Sequence, residues 1–130
     1  MDETTKKKLV ETAIQAASRA YAPYSKFRVG AALIDARGAV FTGCNVENAS
    51  YGLSVCAERT ALFKAVSEGA AEIKGLAVVT LDAPGFCSPC GACRQVIHEL
   101  ARKAVVLLAS RDGTWEETTP DGLLPGAFAL

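Results

Sequence analysis

Ile73-Lys74-Gly75-Leu76-Ala77-Val78-Val79-Thr80-Leu81 is an apolar run, and Lys103-Ala104-Val105-Val106-Leu107-Leu108-Ala109 is another. Between them lie a loop with two prolines, Asp82 to Pro89, and a stretch of helical spacing, Cys90 to Arg102. That spacing turns Val96, Ile97, Leu100 and Ala101 inward and leaves basic residues in the last turn, where the helix dipole favours them. Strand, helix and strand from Ile73 to Ala109 predict one right-handed βαβ unit. The sheet is therefore at least partly parallel.

Upstream, Phe27 to Ile34 and Ala39 to Cys44 are β-rich runs joined by Asp35-Ala36-Arg37-Gly38, which reads as a hairpin turn. They add an antiparallel part to the sheet. The first segment, Thr4 to Ala20, predicts a helix with Leu9, Ala13, Ala16, Ala17 and Ala20 on one stripe, stopped by Tyr21-Ala22-Pro23-Tyr24-Ser25. A polar loop, Asn45 to Ser54, leads to a second helical pattern, Cys56 to Glu68, with Ala57, Ala61, Leu62, Ala65 and Val66 at helical spacing. Gly69 follows it as a C-cap residue. After the last strand, Arg111-Asp112-Gly113 starts a turn. The order αββαβαβ describes an α/β fold, a mixed sheet covered by helices.

The chain has 130 residues and 13.6 kDa, the size of one domain spanning 1–130. With 50% hydrophobic and 22% charged residues it is neither disordered nor of low complexity. Fourteen Lys and Arg balance fourteen Asp and Glu, which argues against a nucleic-acid polymer or an anionic membrane as partner. Lys6-Lys7-Lys8 reads as a solvated helix start. The longest apolar run, Ala104 to Ala109, falls far short of the roughly 18 residues that a membrane helix needs. Met1 to Lys8 shows no apolar export signal, so the expected compartment is the cytoplasm. There, five cysteines at 44, 56, 87, 90 and 93 favour metal or thiol chemistry over a disulfide framework.

Two loop-to-helix junctions carry the chemistry: Val55-Cys56-Ala57-Glu58-Arg59-Thr60-Ala61 and Ser88-Pro89-Cys90-Gly91-Ala92-Cys93-Arg94-Gln95. Pro89 suits a helix entry, and Cys90 and Cys93, three apart on a first turn, face one side. Helix N-termini favour thiolates, and three thiolates with a fourth position open is the layout of a catalytic zinc site. Glu58, two residues after Cys56, is placed to take a proton from water and return it to a substrate nitrogen. Three thiolates overcompensate the charge of one zinc ion per chain. Arg59 and Arg94, beside the motifs, are candidates to balance it.

These residues resemble the small, homotetrameric cytidine deaminases, over about Tyr21 to Phe128. The zinc-deaminase signature pairs a His-x-Glu or Cys-x-Glu with Pro-Cys-x-x-Cys. It stands here as Cys56-Ala57-Glu58 and Pro89-Cys90-Gly91-Ala92-Cys93. The resemblance implies a three-layer α-β-α fold with a mixed five-stranded sheet. It also implies hydrolysis of cytidine and 2′-deoxycytidine to uridine and 2′-deoxyuridine plus ammonia, with Glu58 moving protons to ring N3 and to the leaving amine. Asn45-Val46-Glu47-Asn48-Ala49 resembles the family's Asn-x-Glu segment that holds the ribose. Tyr24-Ser25-Lys26-Phe27-Arg28-Val29-Gly30 resembles the segment whose ring stacks on the pyrimidine, which makes Phe27 the candidate. Ala57 enters the substrate site with its motif. Leu123 to Phe128 resembles the C-terminal segment, and the resemblance places Ala49, Tyr51 and Phe128 near a substrate held by another chain of the tetramer.

Other readings stand beside these. The three cysteines are also compatible with buried core thiols, or with a closed structural zinc module that adds Cys87. Phe27 on a strand is by default a core residue, and Asn45 and Glu47 a solvated turn. Arg59 and Arg94 read equally as surface charges, and His98 as a surface or boundary residue. A deaminase of a nucleoside-like antibiotic would share the zinc motifs, whereas a polynucleotide-editing enzyme would want a basic groove.

Overall fold

The computed structural model describes residues 1–130. Its elements are α1 (Glu3–Ala17), β1 (Val29–Asp35), β2 (Val40–Cys44), a short 3-10 turn (Tyr51–Leu53), α2 (Ala57–Ser67), β3 (Ile73–Thr80), α3 (Gly91–Leu100), β4 (Val105–Ala109), β5 (Trp115–Thr118) and α4 (Pro120–Leu123). The strands form one sheet in the order β2-β1-β3-β4-β5. β3 and β4 pair in parallel as the βαβ reading expects, and the remaining neighbours are antiparallel.

Alternation along the strands builds two cores. Ala31, Leu33, Leu76, Val78, Val106 and Leu108 point to one face and meet Ala57, Ala61, Leu62 and Ala65 of α2 and Ile97 of α3. Ala32, Ala77, Val79, Leu107 and Ala109 point to the other and meet Leu9, Val10, Ala13 and Ala17 of α1. This is the expected three-layer α-β-α arrangement around a mixed five-stranded sheet. Because helices cover both faces of β3 and β4, those strands read as continuous apolar runs, without polar alternation.

Two glycines set the spacing of the layers. A Cβ on Gly30 would lie 2.1 Å from the carbonyl oxygen of Ala13 in α1, and one on Gly43 would lie 2.5 Å from the nitrogen of Ala61 in α2. No side chain fits at either place, so backbone meets backbone on opposite faces of neighbouring strands.

The β1–β2 turn is closed by Asp35, whose buried carboxylate accepts the N–H groups of Arg37, Ala39 and Ala71, each at 2.9 Å. The α2 C-terminus is a Schellman stop. Gly69 adopts φ 77°, its N–H reaches Val66 O, and Ala70 N–H reaches Ala65 O.

Several expectations shift. The first helix ends at Ala17, and Ala20, half-buried, falls outside its stripe; Val10 takes the place. Phe27 lies ahead of β1, so it is a loop residue. In α3 only His98 occupies the last turn among basic residues, because Arg102 lies past the helix end. His98 is buried, with Nε2 3.3 Å from Asp121 Oδ1 of α4, which corrects its reading as a surface residue. β5 supplies the fifth strand that the resemblance implies but the αββαβαβ pattern lacks, and α4 has no counterpart in that pattern.

Candidate active site

α2 and α3 lie in one layer on the sheet, and both begin with a cysteine as the N-cap residue, Cys56 and Cys90. Neither side chain caps its helix, which leaves both thiols free to point elsewhere. Cys93, one turn into α3, is buried and joins them: the three sulfurs all lie within 4.8 Å of one another. Cys56 Sγ and Cys90 Sγ are 3.8 Å apart. Tetrahedral zinc with bonds of about 2.3 Å spaces its sulfurs by roughly 3.8 Å, so the donor set fits that ion.

The charge of such a cluster is met on one side. Arg59, three residues after Cys56 and therefore on its face of the helix, donates from Nη2 to Cys56 Sγ at 3.3 Å. The Cys56 thiol is pulled down to about 5, chiefly by the hydrogen bond from Cys93, with Arg59 and Cys90 adding to it against the opposing effect of burial. Cys93, as the donor in that pair, is pushed up. Arg94 does not play the same part. Its Nε donates to Pro89 O, its Nη1 to Leu123 O and its Nη2 to Ser88 Oγ, each at 2.8 Å. It clamps the loop before α3 to the end of α4. Of the two candidates for balancing the charge, Arg59 is the one that faces the sulfurs.

Glu58 sits in the first turn of α2 and is 3% exposed. Burial pushes its carboxyl upward, with its own backbone N–H pulling the other way and the charge of Cys56 raising it further. A carboxyl so placed holds a proton more readily than a surface glutamate, which suits a group that accepts and returns protons.

Glu58, Cys56 and Cys90 line a cavity of about 610 Å³ together with Asn45, Glu47 and Ser25. Phe27, Val29, Ala57, Cys87 and Ser88 complete its lining. Asn45, just past β2, accepts Val29 N–H on Oδ1 at 2.9 Å and donates from Nδ2 to Phe27 O at 2.8 Å. Glu47 Oε1 accepts the N–H groups of Tyr24 at 3.1 Å and Ser25 at 3.0 Å, and Oε2 accepts the Ser25 hydroxyl. The Ser25 hydroxyl and N–H hold the Glu47 carboxyl below its ordinary range. Phe27 is 39% exposed and offers its ring to this space, away from the two cores.

Cys87 lines the cavity outside the sulfur cluster. Its thiol is pushed up to about 12, by burial first and then by the charge of Glu58, and its N–H bonds Ala109 O at 3.1 Å. Cys87 lies outside the group of sulfurs within 4.8 Å of one another, so the four-cysteine cluster of a closed structural module is not assembled here. Ala49, Tyr51 and Phe128 are exposed and lie outside this cavity. Tyr51 packs edge-on against Tyr24, ring centres 6.2 Å apart, beside a hollow of about 390 Å³ that shares Ser25 and Glu47 with the cavity. Among the residues lining the cavity, Ser25, Val29 and Ser88 had not been singled out. Ser25 carried a signal, an oxygen two residues before the stacking candidate.

A metal-ready thiol cluster beside a buried carboxylate, on a cavity large enough for a small molecule, fits a zinc-dependent hydrolase. The sequence profile described as cytidine and deoxycytidylate deaminase zinc-binding region matches residues 3–109. The chain belongs to that family. It is 53% identical over 123 residues to the cytidine deaminase of Sporosarcina psychrophila, covering 94% of this chain and 90% of that one. With the cytidine deaminase of Halalkalibacterium halodurans it shares 54% over 121 residues, covering 92% and 91%. The crystal structure of cytidine deaminase from Burkholderia pseudomallei superposes with a TM-score of 0.89 at 49% identity, covering 98% of this chain and 100% of that one.

Proposed function

We propose that this chain hydrolyses cytidine and 2′-deoxycytidine to uridine and 2′-deoxyuridine, releasing ammonia. The observation that carries this reading is one cavity lined by the buried Glu58 carboxylate, by Cys56 and Cys90 of the three-sulfur cluster, and by the Asn45 amide and Glu47 carboxylate. Cys56, Cys90 and Cys93 hold the zinc, which when bound supplies the Lewis acidity that makes water a nucleophile near neutral pH. Glu58 takes a proton from the attacking water and gives it to ring N3, so that C4 accepts the oxygen. Glu58 then passes the second proton to the amino group, which departs as ammonia. Asn45 and Glu47 bond the sugar hydroxyls, Phe27 stacks on the base, and the Ala57 backbone borders the ring. Arg59 offsets the excess thiolate charge.

The test is a comparison of cytidine, free cytosine and a cytosine-containing single strand, followed by absorbance or ammonia release. Cytidine should turn over. Cytosine should be poorer by roughly 10⁴-fold in kcat/KM, because Asn45 and Glu47 lose the hydroxyls they are placed to bond. The strand should be inert, in keeping with a formal net charge of zero. Equal turnover of cytosine and cytidine would remove the sugar role, and efficient turnover of the strand would remove the small-molecule reading.

The reading extends to a single domain over 1–130, working in the cytoplasm as a closed homotetramer with shared sites. No helix is long and apolar enough to cross a membrane. Phe63 and Val66 of α2 stand 49% and 54% exposed, and Phe128 70%, which is apolar surface suited to burial between copies. Light scattering at micromolar concentration should give about four times the 13.6 kDa chain mass. A fully active monomer would defeat both the assembly and the placing of Ala49, Tyr51 and Phe128 at a neighbour's site.

A further inference from the structure

Glu47 is fully occupied by its own chain. A carboxylate offers about four lone-pair sites. Here Tyr24 N–H, Ser25 N–H and the Ser25 hydroxyl take three, and Asn45 Nδ2 stands 3.5 Å from Oε2 as the fourth. An incoming sugar hydroxyl must share or displace one of these. The Asn45 contact is the longest and the most readily given up, which leaves the Ser25 hydroxyl in place on Oε2.

The same Ser25 oxygen accepts Phe27 N–H at 3.0 Å. One hydroxyl therefore joins the Glu47 carboxylate to the backbone of the aromatic residue Phe27. The link spans Lys26, which is the chain's one non-glycine residue at positive φ, 58°. A left-handed residue with a side chain persists only where its surroundings enforce it. Lys26 N–H bonds Ala22 O at 3.0 Å on one side, and the Phe27 N–H to Ser25 Oγ bond closes the other.

We infer that Ser25 is a positioning residue for nucleoside binding: its hydroxyl fixes Phe27 relative to Glu47, so that the base and the sugar are gripped in one register. This rests on the nucleoside reading above. Ser25 touches neither the sulfur cluster nor Glu58 in the hydrogen-bond network, so its effect belongs to binding and not to the proton transfers.

The experiment measures cytidine kinetics and calorimetric uridine binding for the wild type and for Ser25→Ala, Ser25→Thr and Ser25→Cys. Ser25→Ala should raise KM for cytidine and weaken uridine binding by about tenfold each, the scale of a lost hydrogen bond to a charged group, with kcat changed less than about twofold. Ser25→Thr, which keeps the hydroxyl, should restore most of the loss. Should Ser25→Ala not melt cooperatively, Ser25→Cys carries the comparison, since a thiol of similar size is a weak donor and acceptor. In a Glu47→Gln background the same Ser25 substitution should cost clearly less than it does alone, because the pair acts as a unit. Unchanged KM and uridine affinity, a fall confined to kcat, or full additivity with Glu47→Gln would overturn the inference while leaving cytidine deamination intact. A wild type that neither turns over cytidine nor binds uridine would overturn the nucleoside reading, and this inference with it.

Discussion

Glu58→Gln should hold zinc and bind nucleoside as the wild type does, yet lose most of its turnover. Positioned proton transfer contributes typically 10²–10⁴-fold, and one carboxyl here serves several transfers, so kcat should fall by at least about 10³-fold. Glutamine matches the shape of glutamate and keeps the side chain buried at the start of α2, where the carboxylate is 3% exposed. Near-normal kcat in a variant with full metal content would rule Glu58 out as the proton carrier. Metal analysis on the same preparation separates lost chemistry from a lost site.

Single replacement of Cys56, Cys90 or Cys93 by alanine should abolish both zinc retention and activity, and Cys87→Ala should spare the metal. The contrast follows from position, since three sulfurs gather within 4.8 Å and Cys87 stands apart against the core. A site left with two thiolates loses the charge and geometry on which its affinity depends, and metal affinity carries stability with it. Elemental analysis after dialysis is the measurement, read beside the melting curve. Loss of zinc in Cys87→Ala, with Cys56→Ala still loaded, would reverse the ligand assignment.

Much of this molecule was legible because burial writes itself into sequence. Strands covered on both faces appear as unbroken apolar runs, which is why β3 and β4 and the helix between them stood out. β5 is an edge strand with half-buried Trp115 and Thr118 flanking two exposed glutamates, and α4 is one turn long. Neither leaves a periodic pattern. The burial of His98 leaves no trace for the same reason, because the element it meets, α4, has no pattern of its own.

The two arginines show what adjacency hides. Arg59 is three residues after Cys56 and Arg94 four after Cys90, and both intervals return to the same helix face. What separates them is the partners supplied elsewhere in the chain: Arg59 reaches Cys56 Sγ, whereas Pro89 O, Leu123 O and Ser88 Oγ take up Arg94. For Ser25 the local signal is weak. Its role depends on where Glu47 folds back, twenty-two positions along the chain.

The glycine contacts at Gly30 and Gly43 make part of this protein a laminate without a soft layer. Where side chains lie between a helix and a sheet, the two slide by changing rotamers, and the joint is compliant. At Gly43 the backbone of β2 rests directly on that of α2, whose first turn carries Glu58 and whose cap is Cys56. That wall of the cavity cannot shear without lifting one backbone off another. The segment from Tyr24 to Phe27, by contrast, is held to Glu47 and Ser25 through side-chain hydrogen bonds, so two parts of the cavity lining differ in stiffness.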